Sequence, residues 1–178
     1  KQPSDFGWEE TIVFYNNAEV FSYERPNELT DPNSGVICIP NNYRYPDGKK
    51  MPEGQLRVTC LANYDKWVAL DEKTYRSQKE ICRKAMLDVA LGYLPNGKSM
   101  AKELEDRTEL LDVFSPRTIK KFTGHLDGAL YGSPRKSRNG STRFDNLYLA
   151  GADQGYVGIV GAMLGGDAIA NNRILRGD

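Results

Sequence analysis

The closing thirty residues contain the feature that most constrains the fold of this 178-residue chain. A short apolar run at 147–150 has the composition of a buried strand, and a glycine-rich turn at 151–155 leads from it into a helix predicted to begin near Val157 or Gly158. Small residues recur three or four positions apart in this helix, which leaves one face almost without side chains. These small residues, called here the glycine stripe, are Gly158, Gly161, Ala162, Gly165 and Ala168.

The glycine stripe requires an explanation because each glycine costs a helix interior about 1 kcal/mol relative to alanine. The explanation we favour is that another molecule or another part of the protein approaches this bare face of the helix closely. A strand, a glycine turn and a helix start also direct backbone N–H groups and the helix dipole towards an electron-rich ligand. We interpret the stretch as a cofactor contact; tight packing of the helix on a sheet is the alternative. A membrane helix is excluded, because the apolar run from Tyr156 ends at Asp167, short of the roughly 20 residues a bilayer needs.

The segment from Asn146 to Asn171 resembles the C-terminal flavin motif of the phytoene-dehydrogenase-like FAD-dependent oxidoreductases. That family includes carotenoid desaturases, carotenoid isomerases and retinol-saturase-like enzymes. Two upstream stretches, FSPRT at 114–118 and FTGHLDGALYG at 122–132, resemble it in the same order, and the resemblance extends back to about Asn63. It implies that this chain is about the C-terminal third of such a protein, with the N-terminal FAD-binding βαβ unit outside it.

The resemblance implies FAD as cofactor and an extended apolar substrate of the carotenoid or polyisoprenoid type. The reaction would be desaturation, saturation or isomerisation, and the isolated chain would be inactive. It further implies an apolar small molecule as partner, with peripheral membrane contact as an option and self-association of the isolated chain. An amine-oxidase-like flavoprotein is the alternative among enzymes, and a non-catalytic binding module is the alternative of a different class.

Asp153 is the sharpest single candidate, because the resemblance places it against the ribityl or pyrophosphate part of FAD; a plain helix cap is the alternative. The helix start would face the pyrimidine edge of the flavin, where its dipole stabilises the reduced ring. His125, the single histidine, is interpreted as a surface residue rather than a proton donor, and no catalytic residue is assigned. The predicted cofactor-binding residues are Gly132, Gly151, Asp153, Gly158, Ile159 and Val160.

Charge and cysteine content narrow the function classes. The 24 basic and 24 acidic residues balance, so no overall field attracts nucleic acid, and the basic segment 135–143 is predicted to be a solvated loop. One histidine and no clustered cysteines exclude a conventional zinc site, and no metal is expected. Cys38, Cys60 and Cys82 lie in apolar runs, as buried thiols of a reducing compartment do, which favours a cytoplasmic protein, peripheral to a membrane at most.

The pattern of elements predicts an α+β chain, which would belong to an α/β full-length parent. Four strands of a largely antiparallel sheet are predicted at 8–15, 18–23, 36–39 and 55–64, with loops at 25–35 and 40–54. A long helix at 71–91 covers the sheet, and a further strand at 109–113 and a short helix at 116–122 follow. The inner stripe of the long helix is predicted as Ile81, Cys82, Ala85, Met86, Val89 and Tyr93.

Two structural pieces are expected on the basis of the resemblance. Residues 1–143 would form the C-terminal half of a substrate-binding domain with a return loop. Residues 144–178 would supply the closing strand and helix of an FAD-binding, Rossmann-like domain.

Overall fold

The fold is mixed α+β in the computed structural model, which describes residues 1–20, 22, 24–131 and 135–176. The chain divides into two compact units, Lys1–Pro116 and Arg117–Asp178, and this division in the sequence lies upstream of the boundary predicted at residue 143. The described residues of the first unit contain a three-stranded antiparallel sheet and three α-helices. The assignment of the two pieces to a substrate domain and an FAD domain remains a prediction.

The sheet has the order β1-β2-β3, with β1 at Ile12–Asn16, β2 at Thr30–Cys38 and β3 at Arg57–Ala62. Both pairings are antiparallel, as predicted, but the described residues form three of the four predicted strands. Residues 18–20 are not a strand, and the rest of that predicted hairpin partner includes Phe21 and Tyr23, which lie outside the described residues. β1 pairs instead with β2.

The first half of β2 occupies a segment that was predicted to be a loop because of Pro32 and the Asn-Ser-Gly sequence after it. The register between β2 and β3 shifts between Asp31 and Gly35, so Pro32 lies in a bulge where no ladder N–H is required. The Asp31 carboxylate stabilises this bulge by accepting hydrogen bonds from the Asn33 N–H at 2.9 Å and the Ser34 hydroxyl at 3.2 Å.

The described residues of the first unit also form three α-helices, α1 at Tyr64–Val68, α2 at Glu72–Leu91 and α3 at Gly97–Arg107, and two 3₁₀ turns at Pro3–Phe6 and Pro40–Asn42. The prediction of α2 is confirmed, and its N-cap is Asp71, whose Oδ1 accepts from the backbone N–H of Lys73 and Thr74 at 3.0 Å each. α1 was not predicted. α3, between the long helix and the strand predicted at 109–113, was not among the predicted helices either.

The core lies between one face of the sheet and the C-terminal half of α2, with α3 beside it. The predicted inner stripe of α2 is therefore partly wrong, because Ile81 and Ala85 are exposed and Leu87 packs against the core instead. A helix that meets the sheet only at its C-terminal half leaves its first turns outside the core. The buried apolar residues of the cluster are Phe6, Trp8, Tyr15, Ile37, Ile39, Ala90, Leu91 and Leu94.

Trp67 connects the N-terminal end of α2 to the segment that precedes β2. It is 1% exposed, its indole N–H donates to the Leu29 carbonyl at 2.8 Å, and its ring meets Tyr75 edge-on at 5.7 Å. The Tyr75 hydroxyl in turn hydrogen-bonds to Ser115 at 2.8 Å, which holds the segment after α3 against α2. The strand predicted at 109–113 is wrong: this segment is irregular, and Leu110 is 88% exposed, because no strand of the sheet pairs with it.

The two units carry opposite charge. The first contains 15 Lys and Arg against 19 Asp and Glu, and the second contains nine Lys and Arg against five Asp. The neutral total of the chain therefore conceals an acidic first unit and a basic second one.

We expect the first unit to lose stability above pH 9 because of Tyr15 and Cys60. Burial raises the pKa of both groups, and a 3.2 Å hydrogen bond between the Tyr15 hydroxyl and the Cys60 thiol raises that of Tyr15 further. The folded state thus holds both protons more tightly than the unfolded state. The contribution of this difference to the free energy of unfolding is complete below the ordinary pKa values, 9.0 for Cys60 and 10.0 for Tyr15. It is lost as the pH rises towards and through the higher pKa values of the folded state.

Urea unfolding followed by tryptophan fluorescence at pH 7, 9 and 10.5 measures this loss. The variant Tyr15→Phe should show a smaller decline between pH 9 and 10.5 than the unchanged chain does. Tyr131→Phe, which alters an exposed tyrosine of the second unit, is the control and should behave as the unchanged chain. Equal declines in all three proteins would contradict the assignment.

Candidate functional site

The second unit is built around one apolar helix. A short helix, α4 at Pro116–Thr123, starts at its boundary and confirms the helix predicted at 116–122. The apolar helix, α5 at Gly158–Ile169, begins where it was predicted and continues into a π-helical turn at Ala170–Leu175.

The strand predicted at 147–150 is wrong, since the described residues there form only an isolated antiparallel bridge between Ser141 and Tyr148. A backbone hydrogen bond from the Leu149 N–H to the Gly140 carbonyl, 2.7 Å long, accompanies that bridge. A strand requires a neighbouring strand over several residues, and the described part of the second unit supplies this one bridge.

Gln154 organises the turn before α5, a role that the sequence did not reveal. Its side chain is fully buried; Oε1 accepts from the Gly151 N–H at 3.0 Å and Nε2 donates to the Arg138 carbonyl at 3.5 Å. Gly151 adopts φ 97° and ψ −143°, a conformation that a side chain would strain. The sequence signal that could have indicated this contact is the position of a glutamine between an apolar run and a glycine-rich helix.

The glycine stripe divides into two parts with different surroundings. At Gly165 an added Cβ would lie 2.2 Å from Oε1 of Gln154, and at Gly161 it would lie 2.9 Å from the Tyr156 backbone. This part of the stripe is therefore filled by the chain's own turn, which is the ordinary packing alternative. At Gly158 an added Cβ would meet nothing within 4 Å.

The N-terminal end of α5 is open. Val157 is its N-cap residue, and in the part of the chain that the structure describes no side chain caps the first turn. Gly158 has φ 80°, and Ile159 and Val160 after it are 83% and 70% exposed. Backbone N–H groups at this end thus remain available to a ligand, and an apolar surface lies directly beside them.

Asp153 lies in the 3₁₀ turn Ala152–Gln154, half-buried, five residues before Gly158, where α5 begins. Its backbone carbonyl accepts from the Ser137 N–H at 3.1 Å, so the turn that carries it is fixed by the preceding loop. It is not the N-cap of α5, since Val157 occupies that position.

Lys136 contributes to the same turn, although its segment was predicted to be a solvated loop. Its ammonium group donates to the Ala152 carbonyl at 3.0 Å and also to the Tyr131 carbonyl. The stem of Lys136 runs beside Gly155, where an added Cβ would lie 3.4 Å from its Cβ and Cγ. This lysine therefore connects the loop near Tyr131 to the turn before α5.

The loop after α4 contains His125 and Gly132, the two other residues singled out in the sequence. His125 is exposed, and its Nδ1–H donates to the Ala129 carbonyl at 2.7 Å, which stabilises a local turn. Gly124 has φ 69°, and nothing would meet a Cβ there within 4 Å. Tyr131 is exposed, and Gly132, one of the predicted cofactor-binding residues, lies outside the described residues.

The structure thus brings five of the six predicted cofactor-binding residues into one stretch, with Gly151 and Asp153 in the turn and the other three at the helix start. The helix start presents amide donors in an open, apolar setting, which fits the electron-rich edge of a flavin. If FAD is bound here, Asp153 would accept hydrogen bonds from its polyol, and Gly158 would allow the ring to approach the backbone closely.

No protein-family model, curated protein or solved structure matches this chain. Of the helices in the described residues, none combines the length and the apolar character needed to cross a bilayer.

Proposed function

We propose that this chain is part of an FAD-dependent oxidoreductase that desaturates, saturates or isomerises an extended apolar substrate of the carotenoid or polyisoprenoid type. The single observation that carries the proposal is the open N-terminal end of α5, fixed in place by the buried turn at Gly151–Gln154. The resemblance of residues 146–171 to a flavin motif supplies the identity of the ligand. Bound flavin would supply the chemistry by accepting or donating a hydride.

The residues of this chain would bind and orient the cofactor. Asp153 would hold the ribityl or pyrophosphate part, and the amides of Gly158, Ile159 and Val160 would face the pyrimidine edge. Gln154 and Lys136 would maintain the turn in its shape without touching the cofactor.

The exposed apolar surface of α5 also supports the proposal, because it has the composition of a surface that another body covers. Ile159, Val160, Met163 and Leu164 are all exposed on this one helix. In the proposed protein this surface would lie against the complementary half of the FAD domain and the apolar substrate.

We expect the chain to be colourless after purification and to bind FAD only weakly, because most contacts to a dinucleotide would come from the complementary half. Amide chemical shifts of the ¹⁵N-labelled chain should nevertheless move at Asp153 and at 158–160 when FAD or FMN is added at about millimolar concentration. ADP, which has no flavin ring, should leave residues 158–160 unchanged. A stoichiometric yellow preparation would contradict the expected weak binding, and unmoved amides would remove the basis of the proposal.

Asp153→Ala should abolish these shifts at the same FAD concentration. The charge-assisted hydrogen bonds that it removes are worth about 1.5–3 kcal/mol, or about ten- to a hundredfold in affinity. Asp145→Ala, which removes an exposed carboxylate from the loop before the turn, is the control and should bind as the unchanged chain. Equal shifts in the two variants would show that Asp153 does not contact the ligand.

A further inference from the structure

β1 is an edge strand whose outward backbone groups lack partners among the described residues. The Thr11 carbonyl accepts from the Ile39 N–H, and the Asn17 N–H donates to the Asn33 carbonyl, both at 2.8 Å. In an antiparallel pair such bonds recur at every second residue, so Val13 and Tyr15 bond to β2. The N–H and C=O groups of the alternate residues in β1 therefore point away from the sheet.

The sequence of β1 also lacks the charged residues and proline that often protect an edge. Its register with β2 is regular from Ile12 to Asn16. The other edge differs, because β3 begins with Arg57 and its pairing with β2 contains a bulge. Phe14, in the middle of β1, is 77% exposed. An uncharged, β-branched and aromatic edge of this kind is a template for strand addition.

We propose that the edge of β1 is the contact through which two copies of this chain associate, by antiparallel pairing about a two-fold axis at Phe14. The axis places Phe14 opposite its own copy and Ile12 opposite Asn16 of the second copy, with no charge in the paired stretch. All outward groups of the five residues then pair, in about six backbone hydrogen bonds. The result is one continuous six-stranded sheet with an aromatic pair at its centre.

A second copy fits this edge better than an unrelated strand does, because the pairing is self-complementary. An isologous contact requires one surface patch to match itself, and a short uncharged strand centred on an aromatic residue meets that requirement. The inference concerns the first unit and is independent of the flavin proposal.

Light scattering across about 1–200 μM chain, combined with the variant Phe14→Lys, tests the proposal. The unchanged chain should reach twice the 20.0 kDa mass of one copy, and Phe14→Lys should raise the dissociation constant at least tenfold, because two ammonium groups would face each other across the axis. Phe122→Lys, which alters a comparably exposed phenylalanine of the second unit, should leave the constant unchanged. A single-copy mass throughout, or equal constants in the two variants, would overturn the proposal.

Ile159→Lys separates this contact from association through α5. If the doubled mass disappears in Ile159→Lys and persists in Phe14→Lys, the contact lies on α5 and the proposal is wrong.

Hydrogen exchange of the unchanged chain gives a direct readout that needs no variant. The Phe14 and Asn16 amides should exchange at least tenfold more slowly at 200 μM than at 1 μM if the edge is paired, and at one rate if it is not.

Discussion

Trp67→Ala is expected to destabilise the first unit by about 3–5 kcal/mol, the largest effect of any single substitution considered for this chain. The indole is almost completely buried, so its removal leaves a cavity beside Tyr75. It also removes one of the two N–H donors of the Leu29 carbonyl, which keeps its hydrogen bond from the Asn63 N–H at 3.0 Å. Urea unfolding followed by far-ultraviolet circular dichroism measures the change, and the fluorescence of Trp8 remains as a second probe.

Trp67→Phe separates the cost of the cavity from the cost of the lost indole hydrogen bond. It keeps most of the ring and deletes the indole N–H, while the Leu29 carbonyl still accepts from the Asn63 N–H at 3.0 Å. Its cost should therefore be about 0.5–1.5 kcal/mol, the net contribution of one hydrogen bond. A cost below 1 kcal/mol for Trp67→Ala would show that α1 and the start of α2 do not depend on this anchor.

Gly165→Ala is expected to destabilise the second unit by about 1–3 kcal/mol, although alanine is the better helix former by about 1 kcal/mol. The added methyl would lie 2.2 Å from Oε1 of Gln154, whose side chain is fully buried. Gly166→Ala is a matched control on the same helix, because nothing would meet its methyl within 4 Å. It should stabilise the unit by up to about 1 kcal/mol.

The sign of the Gly165→Ala effect should reverse in the Gln154→Ala background, because the methyl then meets no side-chain oxygen and the gain in helix propensity remains. Hydrogen exchange measured on peptides from 117–176 follows the second unit separately from the first. Strict additivity of the two substitutions would show that Gln154 does not fill the stripe.

Helices were predictable from the sequence where a local signal marks an end. Asp71 caps α2, and Pro116 stands at the first position of α4. α3 lacks such a signal, since the residue before it is Asn96 in a left-handed conformation with no side-chain cap. Its existence depends on packing against the core through Met100, Ala101 and Leu104, which a local pattern does not show.

Strands were less predictable because they depend on residues that are distant in sequence. Leu110 and Leu111 have the composition of a strand and remain exposed without a partner. Thr30 and Asp31 follow a loop-like sequence and yet pair with β3 across a bulge. The candidate site shows the same division: the start of α5 follows from local sequence, whereas the contact of Gln154 with Gly165 arises only when turn and helix come together.

The two units carry net charges of opposite sign that cancel in the chain as a whole. Such a molecule lacks the mutual repulsion that keeps like-charged proteins apart in solution, and the basic part of one copy attracts the acidic part of another. Added salt screens this attraction over about 10 Å at 0.1 M, so solubility should rise with ionic strength before other salt effects dominate. Cleavage near Arg117 would release one piece that an anion exchanger retains and one that a cation exchanger retains.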